Sequence, residues 1–192
     1  IVTSPAVAPS SPYLSAARTA GVPVVTEIEL TVERILARNP GQVVVGVTGT
    51  KGKSTTTAML GRMMQGHRTT HVGGNIGRPL INEVETIGPD DWVLLELSSY
   101  MLHYLGARGF APKVGVVTLI SSDHLEWHGG LENYHEAKRN LLRHQGPGDH
   151  AVIYRGNATG ASFAAATKGN VHWYDAGTSA ALEMRLPGEH NQ

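Results

Sequence analysis

Residues 43–55 read Val-Val-Val-Gly-Val-Thr-Gly-Thr-Lys-Gly-Lys-Ser-Thr, a β-branched run that leads into a glycine-rich turn ending in a lysine and two hydroxyl residues. Glycines in such a turn let successive backbone N–H groups point inward at phosphate oxygens, and the helix that follows adds its positive N-terminal end. The stretch therefore predicts a strand, a phosphate-binding loop and a helix. A glycine-rich turn with an incidental lysine is the alternative interpretation.

The loop residues have separate expected roles that follow from phosphate chemistry. Lys53 reaches the β- and γ-phosphates, and the hydroxyl of Ser54 or Thr55 lies on Mg²⁺. The common pattern has a glycine five positions before Gly52, where this chain has Val47. We expect the following loop residues to contact ATP: Gly49, Thr50, Lys51, Gly52, Lys53, Ser54 and Thr55.

The composition of the 192 residues excludes several classes of protein. Acidic and basic residues number 16 each, so no net charge points to a nucleic-acid or acidic-membrane partner. No apolar run approaches the roughly 20 residues of a membrane span. The absence of cysteine excludes disulfides and thiolate chemistry and fits a cytoplasmic protein. Residues 1–5 lack the basic segment of a signal peptide and resemble a chain entered partway through a strand.

Strands and helices are predicted to alternate along the chain. Predicted helices cover residues 13–20, 29–38, 54–65 and 131–143, and predicted strands cover 1–3, 22–25, 42–47, 91–97, 114–120, 151–154, 171–174 and 182–186. This order indicates an α/β fold with a mostly parallel sheet flanked by helices. Ligands of such sheets bind at the carboxyl ends of the strands, so the residues that follow each strand are the candidates for function.

Glu96 lies at the end of a strand that is apolar on both faces. A buried charge in this position is costly unless it is paired, and a carboxylate beside a phosphate loop commonly holds Mg²⁺. The sequence therefore favours a metal role for Glu96. A strand-end glutamate that faces solvent is the alternative.

The segment after the next buried strand contains two histidines, His124 and His128. The glutamate that a zinc protease places after its first histidine is replaced by Leu125, so that class is not indicated. His124 is interpreted equally well as a ligand of a second metal or a phosphate and as a surface histidine. By its residue pattern alone Lys138 is a solvated helix lysine. The glycine-rich stretch around Asn75 fits a ligand-contacting loop or a plain turn.

The chain resembles the Mur ligases of peptidoglycan synthesis in five segments, in this order: 46–55, 73–80, 95–102, 123–138 and 186–191. Within the family, residues 4–30 and 74–77 resemble the member that joins D-glutamate to UDP-N-acetylmuramoyl-L-alanine. The chain departs from the family's usual residues in three places. It has Tyr-Met at 100–101 in place of Phe-Gln, Leu119 in place of Asn, and no acidic stretch at 155–158.

The resemblance implies an ATP-dependent amide ligase that works through an acyl-phosphate. It implies two Mg²⁺ ions, the first held by Ser54 and Glu96, the second by His124 and by Lys138 carbamylated with CO₂. Asn75 and Ser98 would contact the UDP-sugar, and Asn191 would contact ATP. The catalytic residues implied are Lys53, Glu96, His124 and Lys138.

The resemblance also predicts the organisation of the chain. Residues 1–38 are expected to be the end of an N-terminal UDP-binding domain, and residues 39–192 a central ATP-binding domain that ends at the hinge to a C-terminal domain. Such a fragment would be a poor ligase alone, since the proximity of the substrates and the closure of the domains around them supply much of the rate. The full-length protein would be a monomer. Three alternatives stay open: another Mur-type ligase, folylpolyglutamate synthetase, and an ATP-binding module without chemistry.

Overall fold

The computed structural model describes residues 1–175, so the predicted strand at 182–186 and the predicted ATP contact Asn191 lie outside the described residues. The strands are β1 (Val2–Thr3), β2 (Val25–Thr26), β3 (Val43–Thr48), β4 (Thr70–Gly74), β5 (Trp92–Glu96), β6 (Val114–Val117), β7 (His150–Tyr154) and β8 (Asn170–Tyr174). The helices are α1 (Pro12–Thr19), α2 (Glu27–Arg38), α3 (Lys53–Gln65), α4 (Ser99–Ala107), α5 (Leu125–His128), α6 (Leu131–Arg143) and α7 (Gly160–Ala164). Among these helices none is both long and apolar enough to cross a lipid bilayer.

Six strands form one sheet in the order β4-β5-β3-β6-β7-β8, and every neighbouring pair is parallel. The predicted α/β fold with a mostly parallel sheet is confirmed. From β3 the chain turns towards β4, whereas from β6 it turns towards β7, so the winding direction reverses between the adjacent strands β3 and β6. Ligand sites of open parallel sheets lie at the carboxyl ends of such a pair.

Both faces of the sheet are covered, because successive side chains of a strand point to opposite faces. Val45, Val47 and Leu94 pack on one face beneath α3. Val44 and Leu95 belong to the larger core on the other face, to which α2, α4 and α6 contribute. Burial on both faces explains why β3 and β5 are continuous apolar runs.

Element boundaries differ from the prediction where local hydrogen bonds decide them. α2 begins two residues early because Thr26 and Glu29 form a capping box, in which each side chain bonds the other's backbone N–H. The strand predicted at 22–25 is reduced to β2, and the strand predicted at 114–120 ends at Val117.

β4 and α4 were not predicted by the sequence pattern. β4 ends in Gly73 and Gly74, and glycine is depleted in strands. The sequence of α4 is largely apolar, and Met101, Leu102 and Leu105 are all buried. Its hydrophobic pattern therefore looks like a continuation of the apolar strand before it. α7 was missed as well, in a short stretch rich in alanine.

Gly74 lies opposite Glu96 in the pairing of β4 with β5. Its φ is 92°, and a Cβ there would lie 2.2 Å from the carbonyl oxygen of Glu96. We expect Gly74→Ala to lower the melting temperature, followed by circular dichroism, more than Gly109→Ala does. Gly109 is a matched control because it has a φ of 71° and no atom of the described residues within 4 Å of an added Cβ. Both variants carry roughly 1–2 kcal/mol of left-handed strain, and equal losses would show that the contact with Glu96 is unimportant.

Candidate active site

The predicted phosphate loop connects β3 to α3 and packs directly on the end of β6. Gly52 is the residue before α3 and has a φ of 86°. At Gly49, where φ is 158°, an added Cβ would lie 1.9 Å from Thr118 Oγ1. Glycine is therefore required at Gly49 by close packing as well as by backbone conformation.

Two residues after β6 hold the loop through hydrogen bonds. The hydroxyl of Thr118 lies within hydrogen-bond distance of two loop carbonyl oxygens, that of Lys51 at 2.8 Å and that of Thr48 at 3.1 Å. It can donate its one proton to either of them. The carbonyl of Leu119 accepts from the N–H groups of Thr50 and Lys51, at 2.7 and 3.2 Å. Leu119 thus acts through its backbone, so its departure from the usual asparagine leaves this support in place.

The helix that follows the loop carries the predicted phosphate and metal residues. Lys53 is half-buried, and its Nζ donates to the carbonyl of Thr50 at 3.1 Å. Ser54 and Thr55 are exposed on the first turn of α3. Val47, the other departure from the common pattern, is fully buried inside β3, and so belongs to the core beneath the loop.

Glu96 is fully buried at the carboxyl end of β5, next to Val47 of β3. Its Oε1 accepts a hydrogen bond from Asn75 Nδ2 at 2.9 Å, while Oε2 is buried and has no hydrogen-bond partner among the described residues. The alternative of a solvent-facing glutamate is therefore wrong. An unsatisfied buried carboxylate oxygen is costly, and a cation would offset that cost.

Lys138 on α6 is 2% exposed, which contradicts its interpretation from residue pattern as a solvated helix lysine. Its Nζ donates to the carbonyl of Gly49 at 2.8 Å and lies 4.8 Å from the centre of the Tyr134 ring. Burial, followed by the positive charge of Lys53, lowers the pKa of Lys138 from 10.5 to about 7. The structure thus buries a lysine against the phosphate loop whose neutral form is populated near neutral pH.

Tyr134 is a site residue that sequence reasoning missed. It is 1% exposed, and its hydroxyl lies 2.8 Å from Thr50 Oγ1 in the phosphate loop. Burial raises the pKa of Tyr134 to about 12, so the phenol stays protonated. The available signal was its position four residues before Lys138, which places both on one face of α6.

His124 has a backbone conformation unlike that of its neighbours. It directly precedes α5 with a φ of 50°, and is the only non-glycine residue of 1–175 with a positive φ. Its Nε2 lies 3.3 Å from Asp123 Oδ2, and its ring centre lies 4.8 Å from that of Tyr100. Residues other than glycine seldom have a positive φ, although histidine does so more often than most, and those that do cluster at functional sites.

These elements meet around a cavity of about 100 Å³, lined by Gly49, Lys53, Asn75, Ser98, Ser99, Tyr100, Asp123, His124, Tyr134 and Lys138. The structure therefore brings six of the predicted site residues together: Gly49, Lys53, Asn75, Ser98, His124 and Lys138. Glu96 adjoins the group through its bond to Asn75. Ser98 also caps α4, since its Oγ accepts from the N–H of Met101 at 3.2 Å.

A larger cavity, of about 630 Å³, lies at the opposite end of the sheet, near the start of β3. Four of its charged side chains form two pairs: Arg108 Nε lies 2.9 Å from Glu29 Oε1, and Lys113 Nζ lies 3.2 Å from Asp149 Oδ1. Paired charges leave little to bind a charged ligand, so the smaller cavity at the carboxyl ends is the candidate site.

The donor atoms at the site suit Mg²⁺. Within residues 1–175 no three histidine, cysteine or acidic side chains come together in the way a protein-enclosed metal requires. Mg²⁺ does not need such a cage, since it keeps several waters and takes one or two carboxylates together with phosphate oxygens. The unpartnered Oε2 of Glu96 supplies one such oxygen, so the residues present fit this ion.

Comparison with known proteins agrees with this geometry. The family model for the Mur ligase middle domain matches residues 47–186. A UDP-N-acetylmuramoylalanine–D-glutamate ligase of Pelotomaculum thermopropionicum is 42% identical over 175 residues, which cover 91% of this chain and 37% of the relative. The chain spans less than half the length of the curated relatives it matches, with shares of 37%, 32% and 46% for three of them.

Solved structures show the same fold at lower identity. MurF of Thermotoga maritima, in complex with ADP, has a TM-score of 0.60 and 24% identity, over 77% of this chain and 35% of that one. The UDP-N-acetylmuramate:L-alanyl-gamma-D-glutamyl-meso-diaminopimelate ligase of Neisseria meningitides has a TM-score of 0.62 and 16% identity, over 90% and 57%. With the match to the middle-domain model, the fold and the site lead to one conclusion: the chain belongs to the Mur ligase family.

Proposed function

We propose that this chain is the ATP-binding part of an enzyme that joins D-glutamate to UDP-N-acetylmuramoyl-L-alanine during peptidoglycan precursor synthesis in the cytoplasm. The observation that carries the proposal is the buried pair Glu96 and Lys138 beside a phosphate loop. A protein that only bound ATP would have no need to bury an unsatisfied carboxylate oxygen and an amine at the phosphates. The choice of D-glutamate is supported by the 42% identity to a relative of that name.

In this proposal the loop binds the phosphates of ATP through its backbone N–H groups, and Lys53 neutralises charge on the β- and γ-phosphates. Ser54 and Glu96 hold the first Mg²⁺, while His124 and Lys138 serve the second. Bound Mg²⁺ would stabilise the negative charge that develops on the transferred phosphoryl group. Support for the first site comes from the unpartnered Glu96 Oε2.

Lys138 is proposed to act as a carbamate. Its neutral amine adds to CO₂, forming an N–C bond and releasing one proton, and the product is an anionic oxygen ligand that Mg²⁺ accepts. Two features support this step. The pKa of Lys138, lowered to about 7, leaves a neutral amine near physiological pH, and the buried position shields the product from water.

The reaction then proceeds in two transfers. The carboxylate of the sugar-nucleotide substrate attacks the γ-phosphorus, which gives an acyl-phosphate and ADP. The amine of D-glutamate attacks the acyl carbon, loses its proton and displaces phosphate. Asn75 and Ser98, which line the cavity with Lys53 and His124, are proposed to contact the UDP-sugar.

We also propose that residues 1–38 end a UDP-binding domain and that residues 39–192 form the central domain, with Asn191 at the hinge near ATP. The test compares this chain with the full-length protein, proposed to be a monomer, in an assay of ADP release with Mg-ATP and UDP-N-acetylmuramoyl-L-alanine. We expect D-glutamate to drive ADP release by the full-length protein, and L-glutamate and D-alanine not to. The chain alone should give no product, because closure of the missing domains supplies much of the rate.

Each rival function predicts a different result in this assay. Another Mur-type ligase or folylpolyglutamate synthetase would release no ADP with this donor and D-glutamate, and would do so only when its own donor and acceptor are supplied. A binding module would take up ATP without releasing ADP under any acceptor. Ligation of D-glutamate by the isolated chain would contradict the domain assignment and leave the activity standing.

A further inference from the structure

His124 is carried by a segment that cannot be stable by itself. The segment is the single helical turn α5, which lies between two left-handed residues, His124 with a φ of 50° and Gly129 with a φ of 71°. One helical turn fixes several backbone angles for very few hydrogen bonds, so short isolated helices do not persist in water. Contacts with other elements must therefore hold this turn in place.

The first such contact is made by Trp127. Its indole Nε1 donates to the carbonyl of Ala6 at 2.9 Å, across 121 positions of sequence. The ring is half-buried and packs against two rings of α4, with centres 4.8 Å from Tyr100 and 5.3 Å from His103. Trp127 thus ties α5 to residues 4–11, the segment between β1 and α1.

The second contact is made by His128, which is 8% exposed. Its Nε2 lies 2.9 Å from Ser99 Oγ, and its ring stacks on Tyr100 with 10° between the planes. Its backbone carbonyl accepts from Asn133 Nδ2 at 2.9 Å. These bonds join α5 to the start of α4 and to α6.

The segment that receives Trp127 is itself fixed to α4. The hydroxyl of Tyr104 donates to the carbonyl of Val7 at 3.2 Å, one residue after Ala6. The segment that receives Trp127 is consequently itself bonded to α4.

We propose that Trp127 and His128 are positioning residues that hold His124 in its left-handed conformation beside the phosphate loop. We call the pair the α5 clamp. Because Trp127 donates to the carbonyl of Ala6, residues 4–11 also help to hold His124, a candidate active-site residue. The role of His124 in the reaction rests on the proposed function. The proposal that the α5 clamp fixes the conformation of His124 does not depend on that function.

The test uses side-chain NMR signals of histidine in this chain, without nucleotide or metal. The signal of His124 is assigned by its loss in His124→Gln. In the wild type this ring lies 4.8 Å from that of Tyr100, so its protons carry a ring-current shift. In Trp127→Phe, which keeps a ring and removes the N–H donor, we expect the His124 signal to move towards that of a solvated histidine.

Trp92→Phe is the matched control. Trp92 is a half-buried residue of β5, and its ring contacts the guanidinium of Arg68 at 5.6 Å rather than any residue of α5. It should leave the His124 signal unmoved. The second anchor is tested by His128→Gln and His128→Leu. A glutamine amide can retain the bond to Ser99 and should rescue the wild-type signal, whereas leucine cannot and should not.

Ser99→Ala removes the same bond from the other side and leaves the core intact, so it carries the test if a variant of Trp127 or His128 fails to fold. Melting curves of all variants identify any that have lost their fold. A wild-type His124 signal in folded Trp127→Phe and folded Ser99→Ala would overturn the proposal. Because the measurement needs no ATP and no substrate, its outcome is independent of whether the proposed ligase activity is found.

Discussion

Replacing Lys53 with alanine is expected to weaken the binding of Mg-ATP to this chain by about ten- to a hundredfold, since a hydrogen bond to a charged group is worth roughly 1.5–3 kcal/mol. The physical reason is that Lys53 places a positive charge on the first turn of α3, beside the phosphate loop. Its Nζ bonds only to the carbonyl of Thr50 among the described residues, and can exchange that bond for a phosphate oxygen. Calorimetric titration of Mg-ATP into wild type and Lys53→Ala measures the difference.

Lys113→Ala is the control for the loss of a positive charge. Lys113 lies at the far end of the sheet and pairs with Asp149 at 3.2 Å, so its removal should leave the affinity for Mg-ATP unchanged. Equal affinity in Lys53→Ala and wild type would contradict the role of the loop. If the wild-type chain does not bind Mg-ATP, the prediction that this chain binds ATP by itself is wrong.

Replacing Lys138 with methionine is expected to abolish carbamate formation and, in the full-length protein, ligation. Methionine retains an unbranched chain of similar length in the buried site and removes the amine. With ¹³C-labelled bicarbonate, the wild-type chain should show a carbamate carbon signal by NMR that is absent in Lys138→Met. The melting temperature should not fall, because burial of an amine whose pKa is lowered from 10.5 to about 7 is itself costly.

Lys168→Met provides the control for carbamate formation at surface lysines. It should retain the carbamate signal, since it removes an exposed amine and leaves the buried amine of Lys138 in place. A signal that survives in Lys138→Met would assign the carbamate elsewhere. Full ligase activity of Lys138→Met would remove this residue from the mechanism altogether.

The parts of the fold that were predicted are those whose information is local. The helix at 131–143 was predicted with its observed bounds, because its apolar spacing and flanking glycines are contiguous in sequence. The phosphate loop followed from residue types that its chemistry requires. β4 and α4 were missed because their local patterns mislead: β4 ends in two glycines, and the buried apolar residues of α4 continue the apolar run of β5.

The candidate site shows the same division. Residue pattern alone placed Lys138 in solvent, and only the packing of α6 over β3 buries it beside Gly49. The bond from Tyr134 to Thr50 spans 84 positions, and no local pattern indicates it. The support that Leu119 gives the loop comes from its carbonyl, which every residue type possesses, so side-chain identity carried no signal. The roles of the site residues in catalysis stay predictions.

One consequence for enzyme engineering follows from the junction of β4 and β5. Asn75 makes two hydrogen bonds to Glu96: its backbone N–H donates to the carbonyl of Glu96 at 2.8 Å, and its Nδ2 donates to Oε1 at 2.9 Å. The position of the Glu96 carboxylate is consequently coupled to that of Asn75. A library that aims to alter the proposed sugar-nucleotide contact therefore cannot treat Asn75 as an independent position, since any change there is also a change to the carboxylate across the strand boundary.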